Sequence, residues 1–183
     1  IFQVGTRTPG LIAMTAQALD SLSGGRFMLG LGTSGPQVIE GWHGIPFSKP
    51  VLHTKEVIEI CRKIFAGEKF SYDGHHWQLP LTKEKGGTGL SKSLSPSATP
   101  TPDLPIYVAS LGPKNLHMTG QFADGWLGTV FLPDTADVFL GPIKLGAEEA
   151  GRSISDIDIL VGARVQFSED VEKIAEKLKP GLA

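Results

Sequence analysis

The sequence contains little cysteine, no long uninterrupted apolar run and no excess of either charge. Cys61 is the only cysteine among 183 residues, which excludes an internal disulfide framework and a cysteine-rich zinc site. No segment reaches the roughly 18 consecutive apolar residues of a membrane-spanning helix. The first residues also lack the charged and apolar regions of a signal peptide. We therefore expect a cytoplasmic protein with no membrane partner.

The charge balance argues against nucleic acid as a partner. Lys and Arg number 17 and Asp and Glu number 19, which gives a formal net charge of -2. Without a long basic block, there is no electrostatic attraction to a polyanion. The chain is 40% hydrophobic and 20% charged, as in an ordinary globular protein. We expect a single domain, residues 1–183, that binds a small-molecule substrate.

Strand-like and helix-like segments alternate along most of the chain. The predicted strands span 1–5, 27–31, 106–109, 125–131 and 157–165, and the predicted helices span 9–23, 51–66, 113–122, 135–150 and 170–178. Alternation of this kind requires parallel strands joined by right-handed crossovers. The sequence therefore predicts an α/β fold, either doubly wound or a (β/α) barrel.

The first predicted helix has clear end signals. Thr8-Pro9 reads as an N-cap followed by proline at the first helical position, and Gly24 follows the last helical residue. Its apolar face is predicted to consist of Leu11, Met14, Ala18, Leu19 and Leu22.

Residues 67–104 interrupt the alternation. Segment 70–79 alternates in polarity around Asp73-Gly74, a hairpin signal. Residues 83–102 are rich in Gly, Ser, Thr and Pro, which indicates a long surface loop. We expect a hairpin and loop inserted between two units of the repeating pattern.

Gly30, Gly32 and Gly35 have the G-x-G-x-x-G spacing of a dinucleotide-binding turn. That interpretation also requires a helix opening on the glycines and an acidic residue about 20 positions later. Proline and further glycines break any long helix here, and the acidic residue is missing. The alternative places Gly32, Thr33 and Ser34 at the carboxyl end of a barrel strand, where a flat ring can lie against the backbone.

A second turn has the features of a phosphate site. Ser110, Leu111 and Gly112 end a strand and lead into a helix that opens at Pro113. Unpaired amide N–H groups and the positive end of the helix dipole meet at this point. An ordinary helix start is the alternative interpretation.

Four motifs occur together in order: Thr8-Pro9 through Leu19-Asp20, LSGGRFMLGLGTSGPQVIEGWHG at 22–44, YVASLGPKNL at 107–116 and ADGW at 123–126. Together they resemble the luciferase-like monooxygenase family, and within it the branch that uses the deazaflavin coenzyme F420. The resemblance implies a TIM-type (β/α)8 barrel with the flavin or deazaflavin ring over the carboxyl ends of the strands. A full barrel needs about 250 residues. We therefore expect a partial barrel, strands three to seven with their helices.

The resemblance also implies roles for individual residues. Gly32, Thr33 and Ser34 match cofactor-contacting positions, and Ser110, Leu111 and Gly112 match the turn that holds the cofactor phosphate. Lys92 lies in a glycine-rich loop, 86–92, that resembles one found in the F420 branch and could close over an anionic tail. A solvated loop is the alternative.

Three residues after the glycine turn are candidates for chemistry. A neutral His43 near the Glu40 carboxylate could act as a general acid or base near pH 7, and Trp42 could wall a substrate pocket. Ordinary loop packing is the alternative for all three. His75-His76 has no third ligand at metal spacing, so we expect no metal site.

The resulting functional prediction is an oxidoreductase that transfers a hydride between F420 and a small organic substrate. One alternative is a monooxygenase that uses reduced FMN and oxygen. Another is an inert truncated barrel, or a fragment that works only by association. Open strand edges favour pairing with a second copy, so we also expect a homodimer.

Overall fold

A computed structural model describes residues 1–129, 131–162, 167 and 169–178, so parts of the predicted strands 125–131 and 157–165 lie outside it. The strands are β1 (Phe2–Gln3), β2 (Leu29–Gly32), β3 (Tyr72–Asp73), β4 (Gln78–Leu79), β5 (Ile106–Ala109), β6 (Gly125–Gly128) and β7 (Asp158–Val161). The helices are α1 (Pro9–Ser23), α2 (Pro36–Ile39), α3 (Pro50–Phe65), α4 (Pro113–Phe122), α5 (Asp137–Glu149) and α6 (Val171–Leu178). The predicted alternation of strand and helix is confirmed.

Within the described residues, five strands form one parallel sheet in the order β1-β2-β5-β6-β7. Gln3 pairs with Gly32, and Gly32 pairs with Ala109, so the carboxyl ends of β1, β2 and β5 lie level. The strands follow chain order and a helix connects each to the next. This is the order of a (β/α) barrel, without the reversal that defines a doubly wound sheet. The prediction of a partial barrel is confirmed.

The outward-facing side chains of the strands build the apolar core. Leu29, Leu31, Ile106 and Val108 are buried in one cluster with side chains of α1 and α3. A second cluster forms around Trp126 between β6, α4 and α5. The helices therefore cover one face of the sheet, as they do on the outside of a barrel.

The ends of α1 are as predicted, but its predicted apolar face is wrong. Thr8 Oγ1 accepts the Leu11 N–H at 3.3 Å, and Gly24 follows the helix with φ 69°. The buried side chains of the helix are Pro9, Ile12, Ala13, Ala16 and Gln17, whereas Leu11, Met14 and Leu22 are exposed. The two alanines let α1 approach α3 closely, and this close packing selects the face with the smaller residues.

Helices α4 and α5 cross closely at two glycines. A Cβ added to Gly120 would overlap the Ile143 carbonyl, and a Cβ added to Gly146 would overlap the His117 carbonyl. The backbones therefore touch where neither residue has a side chain. This crossing packs α4 against the second cluster. It thereby also fixes the position of the turn that precedes α4.

The inserted hairpin, β3 and β4, is held on α3 by a buried carboxylate. Glu56 is 2% exposed and accepts the backbone N–H groups of His75, His76 and Trp77 at 2.7, 2.9 and 3.1 Å. The imidazole rings of His53 and His76 stack with centroids 4.2 Å apart. The hairpin thus packs on α3, in the outer helix layer.

Cys61 is fully buried on α3, as predicted for a small hydrophobic side chain. Burial raises the pKa of its thiol to about 12, so the thiol is protonated at neutral pH. Among the described residues, no helix has the length and apolar character needed to cross a membrane.

Candidate functional site

A pocket of about 510 Å³ opens at the carboxyl ends of the parallel strands. Gln3, Gly32, Ala109 and Leu127 line it from β1, β2, β5 and β6 respectively. In a (β/α) barrel this is the end at which ligands bind and reactions take place. The volume lies within the range of small-molecule and cofactor pockets.

Small residues occupy paired positions on the wall of the pocket formed by β2 and β5. Gly32 pairs with Ala109, and a Cβ on Gly32 would come within 3.2 Å of Ile1 Cγ2 and 3.7 Å of Ala109 Cβ. A larger residue at position 32 would therefore fill space along this wall. Gly32 is itself buried and Ile1 lies closest to it, so the Ile1 side chain shares this wall of the pocket.

The turn from β5 into α4 offers donors for an anion. Gly112 is the N-cap of α4, and Pro113 follows it. In the part of the chain that the structure describes, the amide N–H groups of Leu111 and Gly112 have no hydrogen-bond acceptor. The side chains that line the pocket are neutral, so the N–H groups and the positive end of the helix dipole supply its attraction for negative charge.

Gly112 is not required by the backbone conformation. Its φ of -74° is available to any residue, and a Cβ added there would have no atom within 4 Å. The glycine therefore keeps this end of the pocket open without serving the fold. This is the geometry expected where a ligand approaches the backbone closely.

Ser34, in the other turn that lines the pocket, has a left-handed backbone conformation. Its φ is 57°, and beside it the Thr33 hydroxyl donates to the Ser34 carbonyl at 3.2 Å. For a residue other than glycine this conformation costs on the order of 1 kcal/mol and is concentrated at ligand sites. The conformation of Ser34 is therefore consistent with a ligand-binding role for this turn.

The structure brings six predicted residues together in this pocket: Gly32, Thr33, Ser34, Ser110, Leu111 and Gly112. It does not bring Glu40, Trp42, His43 or Lys92 into the lining. The Glu40 carboxylate accepts the Phe47 N–H at 3.2 Å, and Trp42 is 85% exposed. His43 and Lys92 are exposed as well, so the roles of these four residues stay predictions.

Sequence reasoning missed three polar residues of the lining: Gln3, Asn115 and Thr129. Gln3 is the last residue of β1, and Thr129 directly follows β6. Their position at predicted strand ends could have identified both as pocket residues. Asn115 lies in the first turn of α4, and its Oδ1 is buried without a partner among the described residues.

No group of three or more His, Cys, Asp or Glu side chains within the described ranges is arranged to hold a metal ion. The imidazoles of His75 and His76 meet edge to face with centroids 4.8 Å apart, on the outer hairpin.

These features define a partial (β/α) barrel with a ligand-sized pocket over its strand ends. Its sequence matches the family model for luciferase-like monooxygenases over residues 1–183, and the chain belongs to that family.

Several relatives have names that state an activity, and two of them are described here by their similarity to this chain. A Mycobacterium tuberculosis protein with the provisional name coenzyme F420-dependent oxidoreductase is 42% identical, over 100% of this chain and 54% of the relative. The 5,10-methylenetetrahydromethanopterin reductase of Methanolobus tindarius is 33% identical, over 92% of this chain and 47% of the relative. The chain thus spans about half the length of the curated relatives it matches.

Solved structures agree on the fold. The coenzyme F420-dependent tetrahydromethanopterin reductase of Methanopyrus kandleri superimposes with a TM-score of 0.72 at 26% identity, covering 94% of this chain and 51% of that one. An F420-dependent secondary alcohol dehydrogenase, solved with an F420-acetone adduct, gives a TM-score of 0.74 at 21% identity, covering 98% and 52%. At this identity, the second comparison speaks for the fold alone.

Proposed function

We propose that this chain holds coenzyme F420 in the strand-end pocket, as part of an oxidoreductase that transfers a hydride between the deazaflavin and a small organic substrate. One observation carries the proposal: turns Gly32–Ser34 and Ser110–Gly112 line a single pocket. Family membership and the names of the two relatives support it. Because the chain spans about half of those relatives, the proposal concerns the part of the site that these residues supply.

The residues present fit a flat ring with an anionic tail. The backbone at Gly32 and the small side chain of Ala109 would lie against the ring, and the N–H groups of Leu111 and Gly112 would hold the tail phosphate. When bound, the deazaflavin supplies the hydride chemistry, and the protein binds it, orients it and excludes water. Lys92 is proposed to approach the tail from its exposed loop.

Reduced FMN with oxygen is the second candidate, because the family is named for monooxygenases and FMN also carries a phosphate. Under either proposal, Glu40 and His43 act as acid and base towards the substrate and Trp42 covers it, after their exposed loop moves over the pocket. We also propose that the working form is a homodimer.

The test is a titration of the 183-residue chain with F420 and, separately, with FMN, followed by fluorescence. Sedimentation reports the oligomeric state in the same samples. Tighter binding of F420 supports the first proposal, and tighter binding of FMN supports the second. Binding of neither by a folded chain would refute both and would leave the chain an inert part of a barrel.

Gly112→Val checks where the ligand binds. The new side chain enters open space, so the free energy of unfolding should fall only by the preference of the N-cap position for glycine over valine, about 1 kcal/mol. Cofactor affinity should nevertheless fall at least about tenfold, because the side chain blocks the phosphate end. The matched control is Gly10→Val on α1, where an added Cβ also has no atom within 4 Å. Equal affinities for the two variants would contradict this location.

A further inference from the structure

A buried hydrogen-bonded chain lies behind the β5–α4 turn. The Trp126 indole Nε1–H donates to the Ser110 carbonyl at 2.9 Å. The hydroxyls of Ser110 and Thr119 are 2.9 Å apart, and the Thr119 hydroxyl donates to the Asn115 carbonyl at 2.8 Å. Trp126 and Thr119 are 0% exposed and Ser110 is 2% exposed. Solvent therefore does not compete for these bonds.

The direction of each bond follows from the number of protons available. A threonine hydroxyl has one proton, and that of Thr119 goes to the Asn115 carbonyl. Ser110 must then donate its own proton to Thr119. The Ser110 hydroxyl and the Ser110 carbonyl are therefore both hydrogen-bonded to other residues inside the protein. The Ser110 hydroxyl has no proton left for a ligand, so the turn must bind an anion through its backbone N–H groups, among them those of Leu111 and Gly112.

Trp126 is itself firmly held. Its ring stacks on Phe139 with centroids 5.4 Å apart and meets Phe131 edge to face at 6.3 Å. Trp126 does not line the pocket, because it extends from β6 into the helix layer on the other face of the sheet. A rigid donor on one face thus fixes the backbone of a turn that opens on the other.

We infer that Trp126 and Thr119 are positioning residues: they fix the turn 110–112 so that its free N–H groups can bind the phosphate of the cofactor. The inference rests on the proposed cofactor site and adds to it the origin of phosphate affinity. Without the indole N–H, the buried Ser110 carbonyl lacks its partner, and the turn moves to satisfy it. The effect should be confined to ligands that carry a phosphate.

The test uses ligand pairs that differ in the phosphate. F420 is compared with its ring–ribityl form without phosphate, and FMN with riboflavin, on the wild-type chain and on Trp126→Phe, by fluorescence titration. We expect Trp126→Phe to weaken binding of the phosphate-bearing ligands about tenfold, equal to about 1.4 kcal/mol, and binding of the others less than about twofold. Phe139→Leu is the control, since it disturbs the same aromatic cluster and leaves the indole bond in place.

Thr119 provides an independent variant. Thr119→Val removes the hydroxyl at nearly constant volume and should produce the same selective loss, whereas Thr119→Ser should restore wild-type phosphate affinity. If Trp126→Phe and Thr119→Val leave the ratio of the two affinities in a ligand pair unchanged, the positioning role is overturned. A wild-type chain that binds no ligand would instead refute the proposed cofactor site, so the two failures are distinguishable.

Discussion

Replacing Glu56 by glutamine should loosen the inserted hairpin from α3. The carboxylate accepts three backbone N–H groups, and a hydrogen bond to a charged acceptor contributes about 1.5–3 kcal/mol. Oε2 takes the His76 and Trp77 N–H groups, so a glutamine oxygen is best placed there. Its NH₂ group then faces the His75 N–H. The lost bond costs about 1.5–3 kcal/mol and each of the two bonds that lose their charge about 1 kcal/mol, so we expect the free energy of unfolding to fall by about 3.5–5 kcal/mol.

Urea unfolding followed by tryptophan fluorescence measures this loss, and Trp77 lies in the hairpin itself. Glu59→Gln is the matched control on the same helix. Glu59 accepts one hydrogen bond, from the Tyr72 hydroxyl at 2.6 Å, and its side chain is 32% exposed. Its replacement should cost less than about 1 kcal/mol. Equal losses for the two variants would refute the reasoning that burial and three converging donors make Glu56 the anchor.

Two further predictions concern stability. Gly146→Ala should lower the free energy of unfolding by about 2–4 kcal/mol because its Cβ overlaps the His117 carbonyl, whereas Gly10→Ala should change it by less than about 1 kcal/mol; similar melting temperatures for the two would contradict the close crossing. Burial, and then the adjacent His76, lower the pKa of His53 to about 4. The unfolded imidazole takes up its proton below about pH 6.5, so stability is complete above that pH and falls by about 1–3 kcal/mol as the pH drops to 4. His53→Phe should reduce this slope in urea titrations at pH 7 and 4.5, and an unchanged slope would contradict it.

Element positions could be predicted well where proline and glycine mark the ends. The predicted β5 and α4 have the observed bounds, Ile106–Ala109 and Pro113–Phe122, because Pro105 and Pro113 define where each begins. The buried face of α1 could not be predicted in the same way. Apolar residues occur on two sides of that helix, and the choice between them depends on how closely α3 approaches.

The part of the site that lies directly after the strands could be predicted from the sequence. Turns Gly32–Ser34 and Ser110–Gly112 each follow a parallel strand, and the carboxyl ends of parallel strands meet at one edge. The contribution of Trp126 could not be predicted, because its acceptor, the Ser110 carbonyl, lies 16 positions away in the turn after another strand. The direction of the loop that carries Glu40 and His43 is likewise not encoded in any periodic pattern.

The strand pairing has a consequence for the order in which the chain folds. Tyr107 pairs with Gly125, only 18 positions later. The segment from β5 to β7 also contains the second apolar cluster, so its contacts join residues that are close in sequence. Leu29 pairs with Ile106, 77 positions later, and closing so long a loop is entropically costly. Turn Gly32–Ser34 lies on one side of that junction and turn Ser110–Gly112 on the other. We therefore expect the pocket to be completed only when these two parts of the chain join, late in folding.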